Sequence, residues 1–266
     1  MRGVAAWSPW MWRLLSALPT ATSSGAMLLI VSMYTRTTRS SPHLMRMKFP
    51  PISFLEMNEG RELSLYGFPT VSALFIACAV PFQSYMMANV ALIDLRQAKR
   101  VFWSAFAAFT GLAVHGIVPL QHDIFDIALG ESAAPLSLGS KVHQGAALVF
   151  FAGSLCHCVD MVNLLLNSST LRIGWKSGSL FSRASIILKC ITICLCALPA
   201  LLSAVLHPAS SSGRKSSLSQ TDFAGLAQWW TVACLILFYS TYSLEFFAIA
   251  RIVGLEKKPG KLGKDE

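Results

Sequence analysis

The sequence predicts an all-α membrane protein, a bundle of six transmembrane helices, and three observations lead to this prediction. Of the 266 residues, 54% are hydrophobic. Only 13% carry a charge, about half the charged fraction of an average soluble domain. The apolar residues gather in runs of about 20, the length of helix that crosses a hydrocarbon core of about 30 Å. Because a bilayer offers no water to the backbone N–H and C=O groups, such runs are expected to be helical.

Six apolar runs are predicted to cross the bilayer. They cover residues 14–34, 65–92, 101–120, 142–166, 184–206 and 223–252. Residues 1–252 are therefore expected to form one six-span membrane domain, and residues 253–266 a basic cytoplasmic tail. Arg2 and Arg13 precede the first run, so a signal peptide cleaved near residues 21–23 is the alternative for that segment.

The distribution of Lys and Arg predicts the orientation in the membrane. The flanks on the side of the N-terminus hold 13 of these residues, and the opposite flanks hold eight. Since basic residues concentrate in cytoplasmic loops, both termini are predicted to be cytoplasmic.

Motifs of soluble enzymes and metal sites are missing from the sequence. It has no G-x-x-x-x-G-K-[ST], no G-x-S-x-G and no H-E-x-x-H. The seven cysteines lie in apolar runs, where cysteine acts as a small hydrophobic residue. His115 and His143 are expected to be helix-contact residues. We therefore expect no enzyme activity, no catalytic residue, no metal, no cofactor and no nucleic-acid partner. His122 and Asp126, in a predicted outer loop, fall one residue short of the H-x-x-x-x-D pattern of many acyltransferases.

Ionisable and polar residues within the runs indicate a candidate site, because such residues are costly in lipid and usually face the bundle interior. The fourth run has three of them at intervals of three residues, which predicts a polar stripe on its cytoplasmic half. Others lie at a similar depth, so a site for a lipid headgroup or a protein partner is predicted near the inner leaflet. The alternative is that these groups only pack helices and that Lys189 extends to the interface. The predicted set is Asp94, His157, Asp160, Asn163, Lys189 and Glu245.

Several short motifs follow one another in an order that is informative as a set. An aromatic-Pro-x-Ile-Ser-like stretch occupies residues 49–53, and Glu62 precedes the Leu-Tyr-Gly-Phe step of the second run. His-Gln-Gly-Ala-Ala opens the fourth run at residues 143–147. Gln-Trp-Trp opens the sixth run at residues 228–230, and Glu-Phe closes it at residues 245–246. The motif residues are Pro50, Ile52, Ser53, Glu62, His143, Gly145, Trp229, Glu245 and Phe246.

Together these motifs resemble the DRAM/Frag/Sfk family of six-span membrane proteins. The chain departs from the family pattern at residues 54–56, where Phe-Leu-Glu replaces Asp-x-Gly, and at Arg61, which replaces a proline. The resemblance implies a regulatory or scaffolding protein, acting in autophagy or in phosphoinositide and plasma-membrane lipid organisation. It implies membrane lipids as partners, together with a lipid kinase or the autophagy machinery. It also implies the plasma membrane or an endolysosomal membrane as the location, with the Golgi and the endoplasmic reticulum as alternatives. Remodelling of GPI-anchor lipids and transport of a small solute are the alternatives.

The C-terminal tail is predicted to contact the inner leaflet. Clustered basic residues just beyond a final span attract anionic lipid by about 1 kcal/mol each. A tail that only fixes orientation is the alternative. The basic residues are Lys257, Lys258, Lys261 and Lys264.

Overall fold

The computed structural model describes residues 7–40, 49–88, 95–121, 123, 135–167, 183–206 and 220–256. Helices make up most of these residues, and no strand occurs among them. A short 3-10 helix, Asn58–Gly60, leads directly into the third α-helix. In chain order the α-helices are α1 Pro9–Ser40, α2 Ile52–Leu55, α3 Arg61–Ala88, α4 Leu95–Ile117, α5 Leu138–Asn167, α6 Arg183–Leu206, α7 Gln220–Ser240 and α8 Tyr242–Glu256.

Four helical segments are long and apolar enough to cross a membrane. They are α1, α3, α5 and the stretch Asp222–Arg251, which joins most of α7 to α8. In α6 the apolar part found among the described residues is the shorter Ala184–Pro199. The chain is therefore an integral membrane protein with a helical, multi-pass architecture. Length and composition alone do not assign α4 or α6 to the bilayer.

The helix bounds differ from the predicted runs because polar residues continue a helix beyond the hydrocarbon core. The first helix extends past both ends of the run at 14–34. Helix α3 begins four residues before the run at 65–92, and residues 89–92 of that run lie outside the described residues. The sixth run is broken at Thr241, where a turn separates α7 from α8. At that turn the backbone N–H of Thr241 donates a hydrogen bond of 3.1 Å to the carbonyl oxygen of Phe238, three residues earlier.

Small residues bring α4 and α5 close together. A Cβ atom on Gly111 would lie 2.8 Å from the carbonyl oxygen of Ala146. A Cβ atom on Gly153 would lie 2.9 Å from the backbone nitrogen of Ala108. Glycine at these two positions therefore permits backbone contact, which is the usual way that helices pack within a bilayer.

The segment of residues 49–60 folds into one end of the bundle, against α7. The N–H of Ile52 donates to Oε1 of Gln228 at 2.7 Å, and the indole N–H of Trp229 donates to the carbonyl of Pro50 at 2.9 Å. Motifs that lie about 180 residues apart in the sequence are therefore in contact. As a result, Leu55 at the end of α2 and the next residue, Glu56, lie in the interior of the bundle.

Candidate functional site

A buried ion pair joins α6 to α8. Nζ of Lys189 lies 2.8 Å from Oε1 of Glu245, and neither side chain is exposed. Nζ also donates to Oγ of Ser185 at 3.0 Å and to Oγ1 of Thr241. The hydroxyl of Ser185 in turn donates to Oε1 of Glu245. The three donors of the ammonium group thus each have an acceptor, so Lys189 does not extend to the interface. We call these four residues the inner cluster.

His157 lies beside the inner cluster, and both of its ring nitrogens have partners. Nδ1 lies 2.8 Å from the carbonyl oxygen of Val101, and the hydroxyl of Tyr242 lies 2.6 Å from Nε2. Since a carbonyl only accepts, Nδ1 carries the proton and Nε2 accepts from Tyr242. The ring of Tyr242 also faces Lys189, with Nζ 4.8 Å from the ring centre. This histidine therefore links α4, α5 and α8 and has no nitrogen left for a ligand.

The predicted stripe on α5 does not converge on the inner cluster. His157 is buried, Asp160 is half-buried and Asn163 is exposed. Each step of three residues falls about 60° short of a full helical turn, so the stripe turns away from the interior. Lys189 pairs with Glu245 rather than with Asp160. Asp94 and the four tail lysines lie outside the described residues, as do His122 and Asp126.

A second polar group lies at the opposite end of the bundle, on the outer side according to the predicted topology. It consists of Glu56, His115 and His143, and we call it the outer triad. All three residues are buried, with relative exposures of 1%, 6% and 1%. One potential ligand atom from each lies within 4.8 Å of the other two. The closest approach is 2.7 Å, between Nε2 of His115 and Oε1 of Glu56.

Local contacts explain why the triad residues converge. Arg61, at the start of α3, donates to the carbonyls of Gly116 and Ile117 at 3.0 and 2.7 Å. A cation at a helix C-terminus satisfies the last carbonyls and the helix dipole, so Arg61 anchors the end of α4 that carries His115. Ser140 donates to Oδ1 of Asp123 at 2.6 Å, which anchors the end of α5 that carries His143.

Glu56 is brought to the triad by the docked segment. The hydroxyl of Thr37, in α1, donates to the carbonyl of Leu55 at 2.8 Å. At Gly60 a Cβ atom would lie 1.6 Å from that same carbonyl oxygen, so no larger residue fits. The backbone on both sides of Glu56 is therefore tightly held, and its carboxylate points to the bundle interior.

An apolar cavity lies next to the triad, between helices of the outer half. Its volume is about 60 Å³, and His115 and Gln228 contribute polar groups to its lining. A larger and more open groove of about 620 Å³ runs between α1 and α3, with Arg36 and Glu62 among its lining residues. Val71 lines both spaces. The cavity and the groove are therefore neighbours, separated by α3.

The motif residues fall in several environments. Pro50, Ile52 and Trp229 belong to the docked segment and its partner helix, and His143 belongs to the outer triad. Glu245 lies in the inner cluster, and Phe246 is buried against Trp12 at a ring distance of 5.9 Å. The rest are more accessible: Ser53 is half-buried, and Glu62 and Gly145 are exposed.

The outer triad was not predicted from the sequence. The sequence predicts helix contacts for the two histidines, and Glu56 enters only as part of the departure from the family pattern. The three residues come from separate elements, and no spacing rule connects them. The available signal was a histidine near the outer end of each of two neighbouring helices.

Comparisons with known proteins leave the family open. The chain matches no protein-family model, no curated protein and no solved structure. The resemblance to the DRAM/Frag/Sfk family therefore stays a prediction from motifs. The established statement is the coarser one, that the chain is a multi-pass helical membrane protein.

Proposed function

We propose that this chain is a six-span membrane protein that holds a membrane lipid in its bundle and acts as a regulator or scaffold of lipid organisation. Helix length supports two further spans. With a rise of 1.5 Å per residue, the 23 residues of α4 and the 24 residues of α6 extend about 35 Å each. The Lys and Arg residues of α4 lie in its first two turns, and Glu245 neutralises the lysine inside α6.

The groove between α1 and α3 is the observation that carries the proposal. Its volume of about 620 Å³ lies within the range of about 300–1,000 Å³ that is typical of small-molecule sites. Leu29, Leu63 and Leu74 line the groove together with Arg36 and Glu62, so one part of it suits an acyl chain and another part suits a polar headgroup. We infer that the groove holds a membrane lipid.

A role without turnover is supported by the inner cluster. The ammonium group of Lys189 and both ring nitrogens of His157 are engaged with protein partners, and Lys189 neutralises the carboxylate of Glu245. The proposed processes, autophagy or phosphoinositide and plasma-membrane lipid organisation, rest on the family resemblance. A lipid kinase or the autophagy machinery remains the proposed protein partner.

Filling the groove tests lipid binding. Gly25 lines the groove, and no atom lies within 4 Å of a Cβ placed there, so Gly25→Trp should displace part of a bound chain. If the indole displaces about four methylene groups, at about 0.8 kcal/mol each, affinity falls by about two hundredfold. Ser24→Trp is the matched control, because Ser24 is the preceding residue of the same helix and is exposed outside the groove. Native mass spectrometry of the purified protein would count retained lipid, and equal retention in the two variants would exclude this site.

Lipid remodelling, including that of GPI anchors, is the second candidate. The outer triad favours it, because its buried imidazole and carboxylate groups adjoin the small cavity that neighbours the groove. The lipidome of cells that lack the protein distinguishes the two candidates. Altered phosphoinositides with normal GPI lipid chains support the scaffold, whereas altered GPI lipid chains support remodelling.

A further inference from the structure

We propose that Glu56, His115 and His143 bind a divalent transition-metal ion, with Zn²⁺ as the best match. This proposal goes beyond the lipid-binding function and does not depend on it. It also departs from our sequence-based expectation that the chain holds no metal. Four features of the outer triad support it: convergence, histidine orientation, unsatisfied polar atoms and ligand chemistry.

The three side chains converge although they come from different parts of the chain. Glu56 follows α2, His115 is near the C-terminus of α4, and His143 is near the N-terminus of α5. One ligand atom from each lies within 4.8 Å of the other two, and all three residues are more than nine-tenths buried. The ring centres of the two histidines are 3.8 Å apart. Buried groups on three rigid elements form a preorganised site.

Each histidine is oriented by a backbone carbonyl. Nδ1 of His143 lies 2.9 Å from the carbonyl oxygen of Val118. Nδ1 of His115 lies 3.3 Å from the carbonyl oxygen of His143. In the tautomer in which both Nδ1 atoms donate to these carbonyls, each neutral ring keeps a lone pair on Nε2. Metal-bound histidines almost always donate their second nitrogen in this way.

The triad has more acceptors than its own protons can satisfy. With both Nδ1 atoms protonated, the 2.7 Å contact between Nε2 of His115 and Oε1 of Glu56 needs a cation between two lone pairs. One extra proton would satisfy that contact. It would still leave Nε2 of His143 and Oε2 of Glu56 buried without a hydrogen-bond partner among the described residues. A metal ion satisfies all three side chains together and neutralises the carboxylate.

The ligand chemistry indicates which metals fit. Two imidazoles and one carboxylate are a common ligand set for Zn²⁺ in sites with an open position, and the fourth position is then available to water. Other first-row divalent ions also accept these ligands. Tetrahedral Zn²⁺ separates its nitrogen and oxygen ligands by about 3.3 Å. Nε2 of His115 and Oε1 of Glu56 would therefore move apart by about 0.6 Å on binding.

The test uses the full-length chain, purified in detergent, stripped with a chelator and reloaded with Zn²⁺ alone. Elemental mass spectrometry should find about one Zn²⁺ per chain, in line with one such site. Glu56→Gln, His115→Gln and His143→Gln should each weaken zinc binding by at least about tenfold, the lower end of the loss seen when even a residue that only supports a ligand is replaced. His157→Gln is the matched control, since it removes an equally buried histidine whose nitrogens have other partners. Zinc should also raise the melting temperature of the wild type.

Two results would overturn the proposal. The first is folded wild-type protein that binds no Zn²⁺ at micromolar concentration, which would leave a protonated His115–Glu56 pair. The second is zinc binding by the triad variants that equals that of His157→Gln. If the triad variants do not fold, Co²⁺ bound to the wild type decides. Visible bands of four-coordinate Co²⁺ without a thiolate charge-transfer band support the triad, whereas a thiolate band assigns the metal to cysteine and refutes it.

Discussion

Replacing Lys189 by leucine removes the cation from the buried pair and leaves Glu245 charged in the bundle interior. Both side chains are inaccessible to solvent, and Oε2 of Glu245 has no hydrogen-bond partner among the described residues. The carboxylate therefore depends on Lys189 and Ser185 for its stabilisation. Lys189→Leu should destabilise the fold by more than Lys189→Arg, which keeps the charge.

The expected magnitude follows from the burial. Breaking a buried ion pair by removing one partner costs about 3–5 kcal/mol, because an unpaired charge remains. An intact polar contact within a membrane protein contributes only about 0.6 kcal/mol on average. Removing both charges should therefore be much less harmful than removing one. We expect Lys189→Leu with Glu245→Leu to lie within about 2 kcal/mol of the wild type.

Equilibrium unfolding in mixed micelles would measure these differences in the free energy of unfolding. Asp160→Leu combined with Lys189→Leu is the control, because Asp160 is half-buried and forms no ion pair with Lys189. That combination should be at least as unstable as Lys189→Leu alone. Additive losses in the Lys189→Leu, Glu245→Leu double mutant would refute the reasoning, since they would show that the two charges do not interact.

Three further predictions address topology, packing and the tail. If both termini are cytoplasmic, a C-terminal tag should be digested by protease added to the cytosolic side. Asn167 should carry no glycan, so a glycosidase-sensitive mass shift would contradict this topology. Gly153→Leu should lower the free energy of unfolding by about 1–3 kcal/mol, because the larger side chain forces α4 and α5 apart. Gly145→Leu is the control, since no atom lies within 4 Å of a Cβ there. Replacing the four tail lysines with glutamine should leave membrane insertion unchanged. It should reduce recruitment of a lipid kinase or autophagy partner in pull-downs, and the reduction should be largest at low salt, where electrostatic screening is weakest. The residues changed are Lys257, Lys258, Lys261 and Lys264.

The helical membrane architecture could be predicted because it depends on local composition. A run of about 20 apolar residues has few ways to satisfy its backbone in lipid, and the helix is the simplest. The depth of Lys189 and Glu245 could be estimated in the same way, by counting residues from the helix ends. Their pairing could not, because Asp160 lies at a similar depth and only the rotation of the helices distinguishes the two acids.

By itself, the sequence determined the helical class, the approximate positions of the apolar segments and a short set of polar residues within them. Tertiary structure alone decided which of those residues meet. It turned Asn163 outward, joined Lys189 to Glu245, and brought Glu56 to His115 and His143. The physical reason is that periodicity defines a residue's position on its own helix. The residue that it meets on a neighbouring helix depends on how the helices are oriented against one another. That orientation is set by close packing at small residues such as Gly111 and Gly153 and by the docking of the segment 49–60.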